Sequence, residues 1–115
     1  MSEFRVRSKV WLEFQGQPFL GDGRYRLLTA VELAGSINAA AKVLGISYRK
    51  AWSQLQAMEV NAPFPLLERR SGGKGGGETL LTREARRLLA NYRALREQVN
   101  VAADQVFSAT FPEYE

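Results

Sequence analysis

Arg49, Lys50, Ser53 and Gln54 fall within six consecutive residues, with Ser47 and Tyr48 directly before them. Two cations beside a hydroxyl and an amide suit a polyanion that also presents hydrogen-bonding edges: the charges meet phosphates, and the neutral groups donate and accept at bases. A second basic group follows in Arg69, Arg70 and Lys74, the last inside the glycine-rich run SGGKGGG at 71–77. Glycines there let backbone N–H groups approach a phosphate with no Cβ in the way.

Other chemistries find little to work with. The chain has no histidine and no cysteine, which removes the usual general base, the commonest metal ligand and any thiolate. Glu13, Asp22 and Glu32 are scattered and imply no paired carboxylates, so no catalytic residue, metal site or cofactor is expected. The lysine in the glycine run does not make a nucleotide loop. The Walker pattern needs glycine five positions before Gly73, where Glu68 stands, and Ser or Thr after Lys74, where Gly75 stands.

The charge distribution agrees with a polyanionic partner. Of 16 Lys and Arg against 12 Asp and Glu, nine bases and four acids lie between Lys42 and Arg87, so the positive field belongs to the middle of the chain. At 115 residues and 45% hydrophobic content, one soluble domain with a real core is expected. No apolar run approaches the roughly 20 residues of a membrane span, and the N-terminus does not read as a signal peptide, so the expected compartment is the cytoplasm.

The elements that must position the basic residues can be read from spacing. Phe4, Val6, Val10, Leu12 and Phe14 alternate with polar residues and predict a strand; Gln15-Gly16-Gln17 turns it back onto Pro18-Phe19-Leu20 as an N-terminal hairpin. Asp22 is the expected cap of a first helix whose Leu27, Leu28, Val31 and Ala34 lead to Gly35. Ser36 caps a short second helix (Ile37, Ala40, Ala41, Leu44, then Gly45), and Ser47 caps a third with Ala51, Trp52, Leu55 and Met58 as its buried stripe. Pro63 and Pro65 end that helix. The runs at 66–70 and 78–82 flank the glycines as a hairpin.

Beyond Thr82 a last helix places Ala85, Leu88, Tyr92, Leu95, Val99, Ala102 and Val106 at alternating spacings of three and four. That is a heptad seam. Two helices touching through Ala40 and Ala41 across the Gly45-Ile46-Ser47 turn, with a basic helix second, form a helix-turn-helix. A helix about 10–12 Å in diameter fits the major groove, which is about 12 Å wide.

Residues 35–59 resemble the helix-turn-helix of LysR-type regulators. The stretch ISYRKAW at 46–52, with ERRSGGKGGG at 68–77 and Leu81-Thr82, resembles the more specific signature of the ModE family, over about residues 5–95. The resemblance implies a molybdate-responsive type of transcriptional regulator whose winged-helix domain binds DNA as a dimer. It places Ser47, Tyr48, Arg49, Lys50 and Ser53 on the recognition helix and Arg69, Arg70 and Lys74 on the wing. Trp52 shares a face with Leu55 at helical spacing, so the core is expected for it. One departure is Ala85, where related sequences often have glycine. Family members that sense molybdate carry C-terminal oxyanion-binding domains, whereas this sequence ends at Glu115. A stand-alone variant, or one whose effector is sensed by a separate protein, is therefore expected.

The expected fold is mainly α with small β (α+β): an N-terminal hairpin at 1–21, a winged helix-turn-helix at 22–82, and a long C-terminal dimerisation helix at 83–110. Ser36, Ser47, Tyr48, Arg49, Lys50, Ser53, Gln54, Arg69, Arg70 and Lys74 are the expected contacts to double-stranded DNA. Leu88, Tyr92, Leu95, Val99, Ala102 and Val106 are the expected homodimer contacts. The competing functions are a dimeric winged-helix adaptor for other proteins and an architectural DNA binder indifferent to sequence.

Overall fold

The computed structural model describes residues 3–70 and 77–114. The chain forms two compact units, one spanning Trp11–Leu89, the other built from the first ten residues with Ala90–Glu115.

The larger unit opens with β1 (Leu12–Phe14) and β2 (Gln17–Leu20), paired antiparallel. Gln15 and Gly16 both have positive φ, 52° and 78°, the twist that a two-residue hairpin loop requires. Only the end of the alternating run enters this ladder. The expected strand from Phe4 is a correction: residues 3–11 pair with no strand, and Phe4 is 62% exposed. Alternation marks a face, but a strand needs a partner, and β2 is only four residues long.

The helices α1 (Asp22–Ala34), α2 (Ile37–Leu44) and α3 (Tyr48–Asn61) follow. Asp22 is not the cap of α1. Gly21 holds that position without a side-chain bond, and a Cβ there would lie 3.3 Å from Trp11 Cβ. Asp22 instead sits in the first turn, where a carboxylate meets the positive end of the helix dipole. Leu27, Leu28, Val31, Ala40, Ala41, Ala51, Leu55 and Met58 are buried, and the alanines let the helices approach closely.

Strands β3 (Leu67–Arg70) and β4 (Glu78–Leu81) pair antiparallel, setting Leu67 opposite Leu81 and Arg70 opposite Glu78. Helix α4 (Arg83–Thr110) begins at once; Thr82 Oγ1 accepts the Ala85 N–H at 3.1 Å and donates to the Pro65 carbonyl at 2.7 Å. Among the described residues no helix is long and apolar enough to cross a membrane.

In the smaller unit, the extended N-terminal residues run beside α4. Tyr92 Oη donates to the Val10 carbonyl at 2.8 Å, Ser8 Oγ bonds Asn100 Oδ1, and the Phe4 and Tyr114 rings lie 4.4 Å apart. Among the described residues, four α-helices with two small hairpins make the mainly α, winged architecture expected from the sequence.

Candidate nucleic-acid interface

Local chemistry fixes the helix-turn-helix. Ser36 Oγ accepts the Ala39 N–H at 3.0 Å and so caps α2; it is half-buried and spends its oxygen on that bond. Gly45 closes α2 in the left-handed region at φ 68°, and Ser47 Oγ accepts the Lys50 N–H at 3.0 Å to start α3.

Ala51, Leu55 and Met58 are fully buried. At about 100° per residue, the direction opposite them belongs to Arg49 and Ser53, with Val60 further along; all three are exposed. Lys50 and Gln54 flank this line toward α1 and α2, where they border a small hollow with Arg26 and Ile46. Tyr48 flanks it on the other side, toward the hairpin. The five expected contacts within α3 therefore do not form one patch: Arg49 and Ser53 point straight out, and Tyr48, Lys50 and Gln54 line opposite shoulders.

Trp52 is a second correction. It is 44% exposed and stands one turn from Tyr48, itself 51% exposed, on the shoulder that faces β3 and β4. Its spacing of three from Leu55 suggested the core. It is closer around the helix to Tyr48 than to Leu55, and that places it at the rim of the buried arc.

The hairpin carries Arg69 and Arg70, both exposed, on β3. Lys74 lies outside the described residues. Gly77 faces Arg70 across the mouth of the hairpin, where a Cβ would come within 2.9 Å of the Arg70 carbonyl oxygen, so no larger residue fits without moving backbone. The ribbon is tied to the helices at its root. Glu59 on α3 accepts the N–H groups of Leu66 (3.2 Å) and Leu67 (3.4 Å) through Oε2. Thr79 N–H donates to the Gly35 carbonyl (2.9 Å), and Leu81 N–H donates to Glu32 Oε2 (3.0 Å). Glu32 Oε1 also receives Arg86 at 3.1 Å. None of these links was visible from periodicity.

Between α3 and the ribbon lies an open cleft of about 530 Å³, bordered by Tyr48, Trp52, Arg69, Arg70, Glu78 and the start of α2 at Ser36. Among the described residues no group of three or more acidic, cysteine or histidine side chains is placed to hold a metal ion.

Residues 23–90, which hold the three helices and the ribbon, match the family described as bacterial regulatory helix-turn-helix protein, lysR family. The chain belongs to the lysR family. Within it, the sequence is 42% identical to a molybdenum transport protein ModE of Azotobacter vinelandii over 92% of this chain and 39% of that protein. It is 48% identical to the transcriptional regulator ModE of Haemophilus influenzae over 73% of this chain and 33% of that protein. It is 40% identical to the DNA-binding transcriptional dual regulator ModE of Escherichia coli K12 over 81% and 36%. The chain thus spans between a third and two fifths of these relatives' lengths. The crystal structure of a CbnR_DBD–DNA complex aligns with a TM-score of 0.56 at 28% identity, covering 76% of this chain and 95% of that one.

In this lysR-family chain the heptad positions of α4 divide into two groups. Ala85 and Tyr92 are buried, and Tyr92 already bonds its own chain through Val10; Leu88 and Val99 are half-buried. Leu95 is 41% exposed, Val106 63% exposed, and Ala102 is exposed as well. Val101, off the seam, is also exposed.

Proposed function

We propose that the chain binds double-stranded DNA as a homodimer and regulates transcription in the manner its likeness to ModE suggests, with α3 in the major groove and the β3–β4 ribbon as its wing. The observation that carries this reading is the outward line of α3: Arg49 and Ser53 stand opposite the buried stripe, uncovered, beside a ribbon bearing Arg69 and Arg70. A helix so presented brings donors to base edges while the wing cations meet phosphates.

The exposed apolar positions Leu95, Ala102 and Val106 on the 28-residue α4 support pairing with a second copy. A two-fold dimer requires half-sites about one helical turn apart, near 34 Å, or a multiple of it. Duplex DNA as partner makes the bacterial cytoplasm the working compartment. Adding molybdate or tungstate to the titrations below tests whether either oxyanion acts on the chain itself.

Selection of duplexes from a random pool, followed by fluorescence anisotropy titrations of the winners, tests the reading. If about six to ten phosphates are contacted per dimer, affinity should fall by about 10³ to 10⁵ between roughly 50 and 200 mM salt. Arg49→Ala should relax the base preference of the selected sequence. A chain that enriches no sequence from the pool is an architectural binder. One that binds no duplex at low salt is an adaptor.

A further inference from the structure

We propose that the cleft between α3 and the ribbon seats one sugar–phosphate strand of the duplex, with Trp52 and Tyr48 packed against its deoxyriboses and Arg69 and Arg70 on the phosphates beside them. This rests on the DNA-binding reading above and assigns a role to two aromatic side chains that base reading leaves idle.

The placement of the rings is the starting point. Trp52 lies about a quarter turn around α3 from the outward line of Arg49 and Ser53, on the ribbon side, and Tyr48 lies further round. With α3 in a major groove, the outward line faces the floor of base edges, whereas a shoulder faces a wall. The walls of the groove are the two backbone strands, and the strand on the ribbon side must pass between helix and wing. Such a strand alternates an apolar sugar with an anionic phosphate. The cleft offers matching chemistry: two aromatic side chains from α3, and two guanidinium groups against the single carboxylate of Glu78 from the ribbon.

An open cleft through which a chain can pass fits a polymer strand better than a small enclosed ligand. Exposure of both rings also distinguishes this pair from a core contact. About 100 Å² of the indole is left uncovered at 44% exposure, an area whose burial by sugar carbons strengthens binding about 10- to 100-fold.

Trp11 and Trp52 are the two tryptophans of the chain. In a Trp11→Phe background, emission therefore reports on Trp52 alone. Titration with the selected duplex should change that emission and cut its quenching by acrylamide, while anisotropy of the labelled duplex follows binding in the same samples. Trp52→Ala should weaken binding about 10- to 100-fold on selected and unselected duplexes alike, leaving base preference and salt slope as they were. Arg69→Ala or Arg70→Ala should instead lower the slope by about one per phosphate lost. Trp52→Phe, which keeps an aromatic face, should recover most of the loss.

Unchanged acrylamide quenching in a sample whose anisotropy shows saturation overturns the sugar contact and leaves DNA binding intact. A Trp52→Ala protein with relaxed base preference overturns it too, by making the ring a base reader. Absence of duplex binding by the parent chain overturns both proposals.

Discussion

Replacing Glu59 by alanine should loosen the wing without touching any group proposed to contact DNA. The carboxylate of Glu59 holds the backbone N–H groups of Leu66 and Leu67 at 3.2 and 3.4 Å, and Leu66 is fully buried. A hydrogen bond to a charged acceptor contributes about 1.5–3 kcal/mol, against about 1 kcal/mol for a neutral pair. Both bonds here are longer than the usual 2.9–3.0 Å or so, and Glu59 is only half-buried, so the pair together merits the low end, about 2 kcal/mol. With a urea slope of about 1–3 kcal/mol per M for a small domain, the unfolding midpoint should drop by about 1 M.

Urea titration followed by circular dichroism measures this directly. Glu59→Gln separates hydrogen bonding from charge: its amide oxygen can still accept both N–H groups, so it should lose less than half of what alanine loses. The same variants should bind duplex DNA more weakly in proportion, because a less fixed ribbon must be ordered on binding. An alanine variant within about 0.5 kcal/mol of the parent, the range of an ordinary surface substitution, refutes the anchor. A glutamine variant as unstable as alanine refutes the hydrogen-bond account of it.

Thr82→Ala should cost about 1–2 kcal/mol, since it removes the cap on Ala85 N–H and the bond to the Pro65 carbonyl, while Thr82→Ser should keep most of the stability. Val106→Glu, at a site 63% exposed in the single chain, should leave the fold intact and convert the proposed dimer to monomer in sedimentation equilibrium; a parent chain that sediments as a monomer refutes the pairing, and a variant that still sediments as a dimer moves the interface elsewhere.

What was legible in the sequence was what local chemistry decides. Ser36, Gly45 and Ser47 each act on a backbone group within a few residues of themselves, so the bounds of α2 and α3 could be read from the residue types alone. Positions whose structure depends on distant residues were not legible. The alternation from Phe4 to Phe14 carries a strand pattern, yet β2 offers only Gln17–Leu20 as a partner and the pattern has nothing to pair with before Leu12. Trp52 illustrates the limit of helical periodicity: at the edge of a buried arc, a single residue can fall on either side, and the ribbon decides by leaving a cleft there. Glu32 reaches Leu81 across 49 positions, a link that no spacing rule finds.

Those long-range links bear on how much of the positive charge is available to a phosphate. Two four-residue strands are too short to hold a hairpin by their own ladder, so the ribbon's place is set by Glu59, Gly35 and Glu32, which grip three points of its root. A root fixed before binding presents Arg69 and Arg70 with little ordering still to be done, and they contribute more than equal charges on a loose loop would. The same arrangement removes a cation from the count. Arg86 belongs by sequence to the basic middle of the chain, but its guanidinium is joined to Glu32 Oε1, the carboxylate whose other oxygen holds β4. Pulling Arg86 onto a phosphate would release half of that clamp. Its charge therefore serves the placement of the ribbon, and the phosphate contacts proposed above rest on Arg69 and Arg70, which have no such carboxylate partner among the described residues.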